Sequence, residues 1–408
     1  MNLTANEKGF PQELAADGSQ AGIEAEFIFP FPFDVEKISI SNQVLSIETL
    51  IRRLNQGTIY PPRIQRKGNL WDDDQQSRLL ESMMLRIPIP LFYVAADEDD
   101  NWNVVDGLQR LTAIDRYIRN QEFGLSGLEF LRKLTNLRFP GLPQRMQNRI
   151  LETQLSFAII NPATPPEVQR NVFKRLNTGG LPLTPQEIRH ALYFGPSALL
   201  LEELVETDAF KRATDGSVND TRMGGREMIL RFIAFLIRGD VYPRNEDMDA
   251  LLSETMQILN LIPEGMPADK LERIFGKGYD NPLLTCCDIL EIKRYFFLAM
   301  DRGYSLFERY AYRKSTPGMS YRTPINKSLF EAWSVILGNM DEETFTTLKG
   351  RKLELFKNIK QEMYAGTSEF EDSISRNSHK ISGVQNRYRI IRGIVAQTLR
   401  QDEEKANA

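Results

Sequence analysis

Five consecutive residues, Asp106-Gly107-Leu108-Gln109-Arg110, bring together groups that suit phosphate chemistry. They follow the apolar stretch from Trp102 to Val105 and precede Leu111, Ile114 and Ile118, which recur at helical spacing. The segment therefore reads as strand, turn and helix. A helix start offers backbone N–H groups and a partial positive charge, which suit an anion. Gly107 permits a tight turn and a close ligand approach. Arg110 can fork onto phosphate oxygens. Asp106 can hold magnesium, a hard cation that takes carboxylate and phosphate oxygens. Gln109 can orient a water or a base. The same residues also fit a plainer arrangement, in which Asp-Gly makes a turn and Arg110 pairs with a nearby acid.

Three other segments carry candidate groups. Tyr60-Pro61-Pro62 leads into Arg63-Ile64-Gln65-Arg66. These polar residues can fold over the same pocket or form a solvated edge. In Phe173-Lys174-Arg175-Leu176-Asn177-Thr178-Gly179-Gly180, the glycine pair suits a helix C-cap. It also suits a loop closing on the site, with Asn177 and Thr178 as polar contacts. It is not a P-loop, because no Gly-Lys-Ser/Thr follows at the required spacing. From Ile374 to Arg400 there are six bases and no acid: Arg376, Lys380, Arg387, Arg389, Arg392 and Arg400. Tyr388 sits among them, and Arg389 and Arg392 share a helix face. Such a stripe can bind DNA phosphates with salt-dependent affinity, or serve as a solvated face.

The elements that position these groups are legible in part. Residues 1–40 hold seven acids and two lysines, and read as an acidic, mostly disordered leader. Order is expected from Val44, with a short helix capped by Ser46. Asp72 to Asp74 open a second helix whose buried stripe is Leu79, Leu80, Met83 and Met84. Pro88 and Pro90 stop it. Leu91 to Val94 and Trp102 to Val105 form a hairpin across an acidic turn. Leu155 to Ile160 is a buried strand, and Pro166 to Leu176 a helix. Thr184-Pro185 with Glu187 is a capping box. Beyond residue 196 helices dominate: 197–212, 225–238, 246–261, 285–300, 326–338, 343–363 and 380–400. Between them, 213–224 reads as a mobile loop. The fold class is α+β, with a domain at 41–195 that carries a small mixed sheet and an α-helical domain at 196–408.

Composition removes several chemistries. The chain has only two histidines, His190 and His379, neither with a metal-ligand neighbour at helical spacing. An HNH nuclease, a His-rich zinc enzyme and a Ser-His-Asp hydrolase each need histidines in defined company. The two cysteines, Cys286 and Cys287, are adjacent and rarely bridge, so a reducing compartment fits. No secretory signal and no long apolar run is present. A cytoplasmic protein without membrane partners is expected. The net charge is −4, but residues beyond the leader carry 49 bases against 48 acids, so any basic surface must be local.

Taken in order, the segments resemble a family. They are Tyr60-Pro61-Pro62 with Gln65-Arg66, Trp71-Asp72 with Gln75-Gln76, Leu80-Glu81-Ser82, and Ile87-Pro88-Ile89-Pro90. Val105-Asp106-Gly107-Leu108-Gln109-Arg110-Leu111-Thr112 follows, then Phe173 to Gly180, then Leu183-Thr184-Pro185-Gln186-Glu187-Ile188-Arg189. The set resembles the N-terminal domain of GmrSD-type restriction endonucleases, which is similar to the ParB/sulfiredoxin fold. The resemblance covers about residues 44–195. It implies nucleoside triphosphate binding and hydrolysis through an Asp-Gly-Gln-Gln-Arg motif, here Asp106, Gly107, Gln109 and Arg110. Leu108 stands where the family has the first glutamine. It further implies nucleotide contacts from Gln65, Arg66, Thr112, Asn177, Thr178 and Gly179, with Mg2+ on Asp106. Related proteins act in modification-dependent DNA restriction and phage defence, where nucleotide turnover controls a nuclease. Many carry that nuclease as a C-terminal HNH domain, which the two isolated histidines here cannot supply. A separate nuclease subunit is then the implied partner.

Three readings follow. The first is an NTP-binding, NTP-hydrolysing regulatory component of a DNA-defence system. The second is a non-enzymatic DNA-binding module of the same fold. The third, and weakest, is a direct nuclease, for which the single carboxylate of Asp106 is thin support.

Overall fold

Ser46 ends one strand and starts one helix. Its hydroxyl accepts the Thr49 N–H at 3.2 Å, which caps the helix Ile47–Asn55 (α1). The computed structural model describes residues 3–5, 11–13, 39–60, 71–97, 99–162, 164, 172, 183–239, 248–275, 288–319, 321–364 and 369–400. The chain splits into two compact units, one of them Phe31–Phe194 and the other including Gly195–Ala408. Within the acidic leader, Leu3–Ala5 (β1) and Pro11–Glu13 (β2) pair antiparallel.

The first unit holds a five-stranded mixed sheet. Its strands are Ile40–Ser46 (β3), Ile59–Tyr60 (β4), Phe92–Ala96 (β5), Trp102–Asp106 (β6) and Gln154–Ile160 (β7), in the order β3-β7-β5-β6-β4. β7 pairs antiparallel with β3 and parallel with β5; β6 pairs antiparallel with β5 and parallel with β4. The hairpin and the buried strand stand where the alternation places them. β3 does not: order begins before Val44, and seven residues pair with β7. Polar Ser41, Asn42 and Gln43 hide this strand. It lies at the sheet edge, where Ile40 and Val44 remain exposed, so the usual apolar alternation is absent.

Further helices join α1 in closing this core. Asp73–Met84 (α2) begins with a reciprocal capping box between Asp72 and Gln75. It buries Leu79, Leu80, Met83 and Met84, the expected stripe. Leu108–Ile114 (α3) runs directly into a π-helical turn, Asp115–Arg119. Gln144–Leu151 (α4) leads into β7. Phe92, Trp102 and Phe157 stack at the centre of the core, with ring centroids 5.1 and 5.3 Å apart. The capping box of Thr184 and Glu187 opens the helix Pro185–Leu192.

The described part of the second unit from residue 195 onward is helical. In Gly224–Arg238 every residue except Arg226 is buried, which marks it as a central helix. Two expected helices are broken. The 197–212 stretch divides at Thr207, which caps Asp208–Ala213. The 343–363 stretch divides at Arg351 into Glu342–Gly350 and Lys352–Tyr364. The 213–224 segment is pinned rather than loose. Asp220 accepts from the backbone and side chain of Arg226 at 3.0 and 2.9 Å, and Asp215 pairs with Arg322. Cys286 and Cys287, and the expected helix 166–176 apart from Val172, lie outside the described residues.

Candidate functional site

The turn after β6 places the motif. Tyr93 opposes Asp106 while Val94 opposes Val104, so Val105 is an extra residue in β6. A bulge of this kind re-aims the residue that follows it, here Asp106. Gly107 then sits at φ 98°, a left-handed conformation that favours glycine. Space demands glycine as well: a Cβ there would lie 2.4 Å from Cδ1 of Phe92. No side chain caps the start of α3 among the described residues.

Arg110 is held on several sides. Its Nη2 donates to Asp106 Oδ2 at 3.0 Å and to the Leu91 carbonyl at 3.3 Å. Its Nη1 donates to the carbonyls of Pro90 and Leu91. Its guanidinium carbon lies 4.4 Å from the Phe92 ring centroid. Burial lowers the Arg110 pKa, while the Asp106 charge and hydrogen bond pull the other way. The plainer arrangement allowed by the sequence is therefore present: Arg110 pairs with the acid four residues before it. Asp106 remains 40 % exposed, against 11 % for Arg110. The carboxylate reaches solvent, and the guanidinium mainly fixes the turn.

Gln109 and Thr112 complete the helix start. Gln109 Oε1 accepts the Trp71 N–H at 3.1 Å, which ties the entry to α2 onto α3. Thr112 is half-buried one turn along. Gln65, Arg66, Asn177, Thr178 and Gly179 lie outside the described residues. Sequence reasoning missed Phe92 and the Pro90 and Leu91 carbonyls. The prolines were legible only as a helix stop, and carbonyl direction leaves no trace in residue type.

Among the described residues no cluster of three or more His, Cys, Asp or Glu could hold a metal ion. Asp106 offers one carboxylate, already shared with Arg110. A magnesium ion there would depend on phosphate oxygens and water for most of its ligands. That fits a nucleotide-borne ion and not a dedicated protein cage.

The C-terminal basic segment divides in two. Arg376, Lys380, Arg389 and Arg392 are exposed. Arg387 is fully buried, donates to the carbonyls of Ser373 and Ser378 at 2.9 and 2.7 Å, and pairs with Glu331. The expectation that Arg387 contacts DNA is thus overturned: its guanidinium is consumed inside the unit. Tyr388 is buried as well, so it is no stacking platform. The helix Ile381–Arg400 turns one basic residue inward because Arg387 falls on its apolar face with Val384, Ile391 and Ile394. Arg389 pairs with Glu369 at 2.7 Å.

An α+β domain with an Asp-Gly-x-Gln-Arg turn closing a sheet strand is now in view. Residues 47–194 match the family model described as GmrSD restriction endonuclease, N-terminal domain. This part of the chain is a GmrSD-type N-terminal domain. No curated protein and no solved structure matches the chain. Among the described residues no helix is long and apolar enough to cross a membrane.

Proposed function

We propose that the GmrSD-type domain binds a nucleoside triphosphate at the start of α3 and serves as a nucleotide-regulated component of a DNA restriction or defence system. The observation that carries this reading is the pairing of an uncapped helix start with a half-exposed carboxylate, Asp106, immediately before it. The helix start supplies N–H groups for phosphate oxygens. Asp106 supplies one oxygen for a magnesium ion that the nucleotide brings. Arg110 is a positioning residue as well as a phosphate contact: it fixes Asp106 and anchors the turn on Pro90 and Leu91. Gln109 orients the attacking water if hydrolysis occurs. The mixed sheet is read as ParB/sulfiredoxin-like, and a separate nuclease subunit is the proposed partner on DNA.

The test is calorimetric titration of the four ribonucleoside triphosphates with magnesium, alongside phosphate release with and without modified DNA. Binding by the full chain, lost in Arg110→Ala that remains folded, is expected. Absence of binding by every nucleotide sinks the reading. The second reading, a DNA-binding module without turnover, draws support from exposed Arg376, Lys380 and Arg392.

A further inference from the structure

The helix α2 ends in a way that calls for glycine and has arginine instead. Arg86 N–H donates to the Met83 carbonyl at 3.0 Å, and Ile87 N–H donates to the Ser82 carbonyl at 2.8 Å. This pair of bonds is a Schellman cap, whose crossing residue adopts the left-handed conformation. Arg86 occupies it at φ 63°. An L-residue there is strained relative to glycine, and arginine has no local side-chain hydrogen bond that eases the strain. Among the described residues no side-chain bond of Arg86 offsets that cost. The Arg86 side chain is exposed and, among the described residues, makes no hydrogen bond or ion pair. A residue that costs stability and gains no internal contact points outward to a ligand.

A cleft lies where it points. Arg86, Ile87, Pro88, Ile89, Arg149, Glu152, Thr153 and Gln154 line a cavity of about 320 Å³, within the size range of small-ligand sites. Arg149 is fixed by an Nη1 hydrogen bond to the Met84 carbonyl at 2.9 Å and, among the described residues, has no carboxylate partner. Two guanidiniums against Glu152 leave the lining with one net positive charge. Thr153 and Gln154 add neutral polar groups, and Ile87 to Ile89 add an apolar wall. The cleft sits at the starts of β5 and β7. β6 runs antiparallel to β5, so Asp106 ends at that same edge of the sheet.

The geometry points to a phosphate-ester site in this cleft, with Arg86 and Arg149 on the phosphate and Ile87 to Ile89 against the organic part. Guanidinium pairs suit the oxygens of a phosphate, and the apolar wall suits a sugar or base. This goes beyond the reading above, since it does not involve Arg110. The ester belongs either to a free nucleotide or to a DNA backbone.

The experiment titrates inorganic phosphate, AMP and a short duplex oligonucleotide separately into the full chain, Arg86→Gly and Arg149→Gln. Arg86→Gly is expected to raise the thermal midpoint of the ligand-free chain and to weaken binding about tenfold or more. Arg86→Lys, with charge but no fork, should fall between. Arg86 dependence for AMP and phosphate assigns the ester to a free nucleotide; dependence for the duplex alone assigns it to DNA. Unchanged binding of every probe in Arg86→Gly overturns the proposal, and a lowered midpoint overturns its premise. Arg110→Ala run in parallel separates the two ideas. Loss in Arg110→Ala alone removes the cleft and keeps the site at α3; loss in Arg86→Gly alone does the reverse.

Discussion

Arg387 donates to Glu331 inside the helical unit, and neither side chain reaches solvent. Arg231 Nη1 approaches the other Glu331 oxygen at 3.3 Å, and Lys327 pairs with Glu227 at 3.0 Å nearby. A buried charge without its partner is expensive, whereas the intact pair contributes little net stability. Arg387→Met therefore removes one of the cations on buried Glu331 and the donor that Arg387 gives to the Ser373 and Ser378 carbonyls. Its unfolding free energy should fall by about 3–5 kcal/mol. Urea denaturation checks this, and a loss below about 1 kcal/mol would contradict the buried pairing.

The burial of Arg387 sharpens the DNA question. Arg376, Lys380, Arg389, Arg392 and Arg400 are the exposed bases of that segment, with Arg392 over the Tyr388 ring and Arg389 paired with Glu369. If the unit contacts DNA through this segment, Lys380→Ala with Arg392→Ala removes about two phosphate contacts. The slope of log affinity against log salt should then become shallower by about 2. Filter binding across a salt series measures it. An unchanged slope removes this segment from the DNA interface.

Glu81 predicts a pH response in the first unit. Its carboxylate accepts the N–H groups of Glu129, Phe130 and Leu131 at 3.0, 2.8 and 2.7 Å. Burial pushes its pKa up, but these three bonds and the Arg78 charge outweigh it, and the net shift is downward from 4.5. A group with a lowered folded pKa stabilises above its unfolded value and loses that contribution as pH falls through the folded one. The 129–131 turn should therefore loosen below about pH 4.5. The protection factors of the Glu129 to Leu131 amides, measured against intrinsic exchange at each pH, should fall there, and Glu81→Gln should show lowered protection already at neutral pH. Acid-independent protection of these amides would rule the anchor out.

Legibility in the sequence followed the strength of local signals. Ser46, Asp72 and Thr184 were readable as caps because their hydroxyl or carboxylate groups act within three residues. The hairpin and β7 showed in apolar runs. β3 did not, since an edge strand made of Ser, Asn and Gln is stabilised by pairing partners more than a hundred residues away. The motif Asp106–Arg110 was legible as strand, turn and helix. That Arg110 could pair with a nearby acid was legible too; that it would spend further donors on the Pro90 and Leu91 carbonyls was not, because those lie just ahead of β5, far from Arg110 along the chain. The basic C-terminal run concealed the inward turn of Arg387 for a similar reason: its partner Glu331 lies 56 residues away.

Gly107 makes the strictest prediction at the candidate site. Two independent demands meet there, a φ of 98° and a Cβ position 2.4 Å from the Phe92 ring. Phe92 is itself fully buried and stacked on Phe157, so it has little room to retreat. Gly107→Ala adds left-handed strain and overpacking together, about 2–4 kcal/mol in sum. The unfolding free energy should fall by that amount, through a lower urea midpoint at an unchanged m-value. Phe92→Leu in the same background removes the ring and should recover part of the steric loss but none of the backbone strain. The two substitutions should thus be less costly together than added separately. Strict additivity would mean that the ring does not press on the turn. The start of α3 would then be set by the backbone of Gly107 alone.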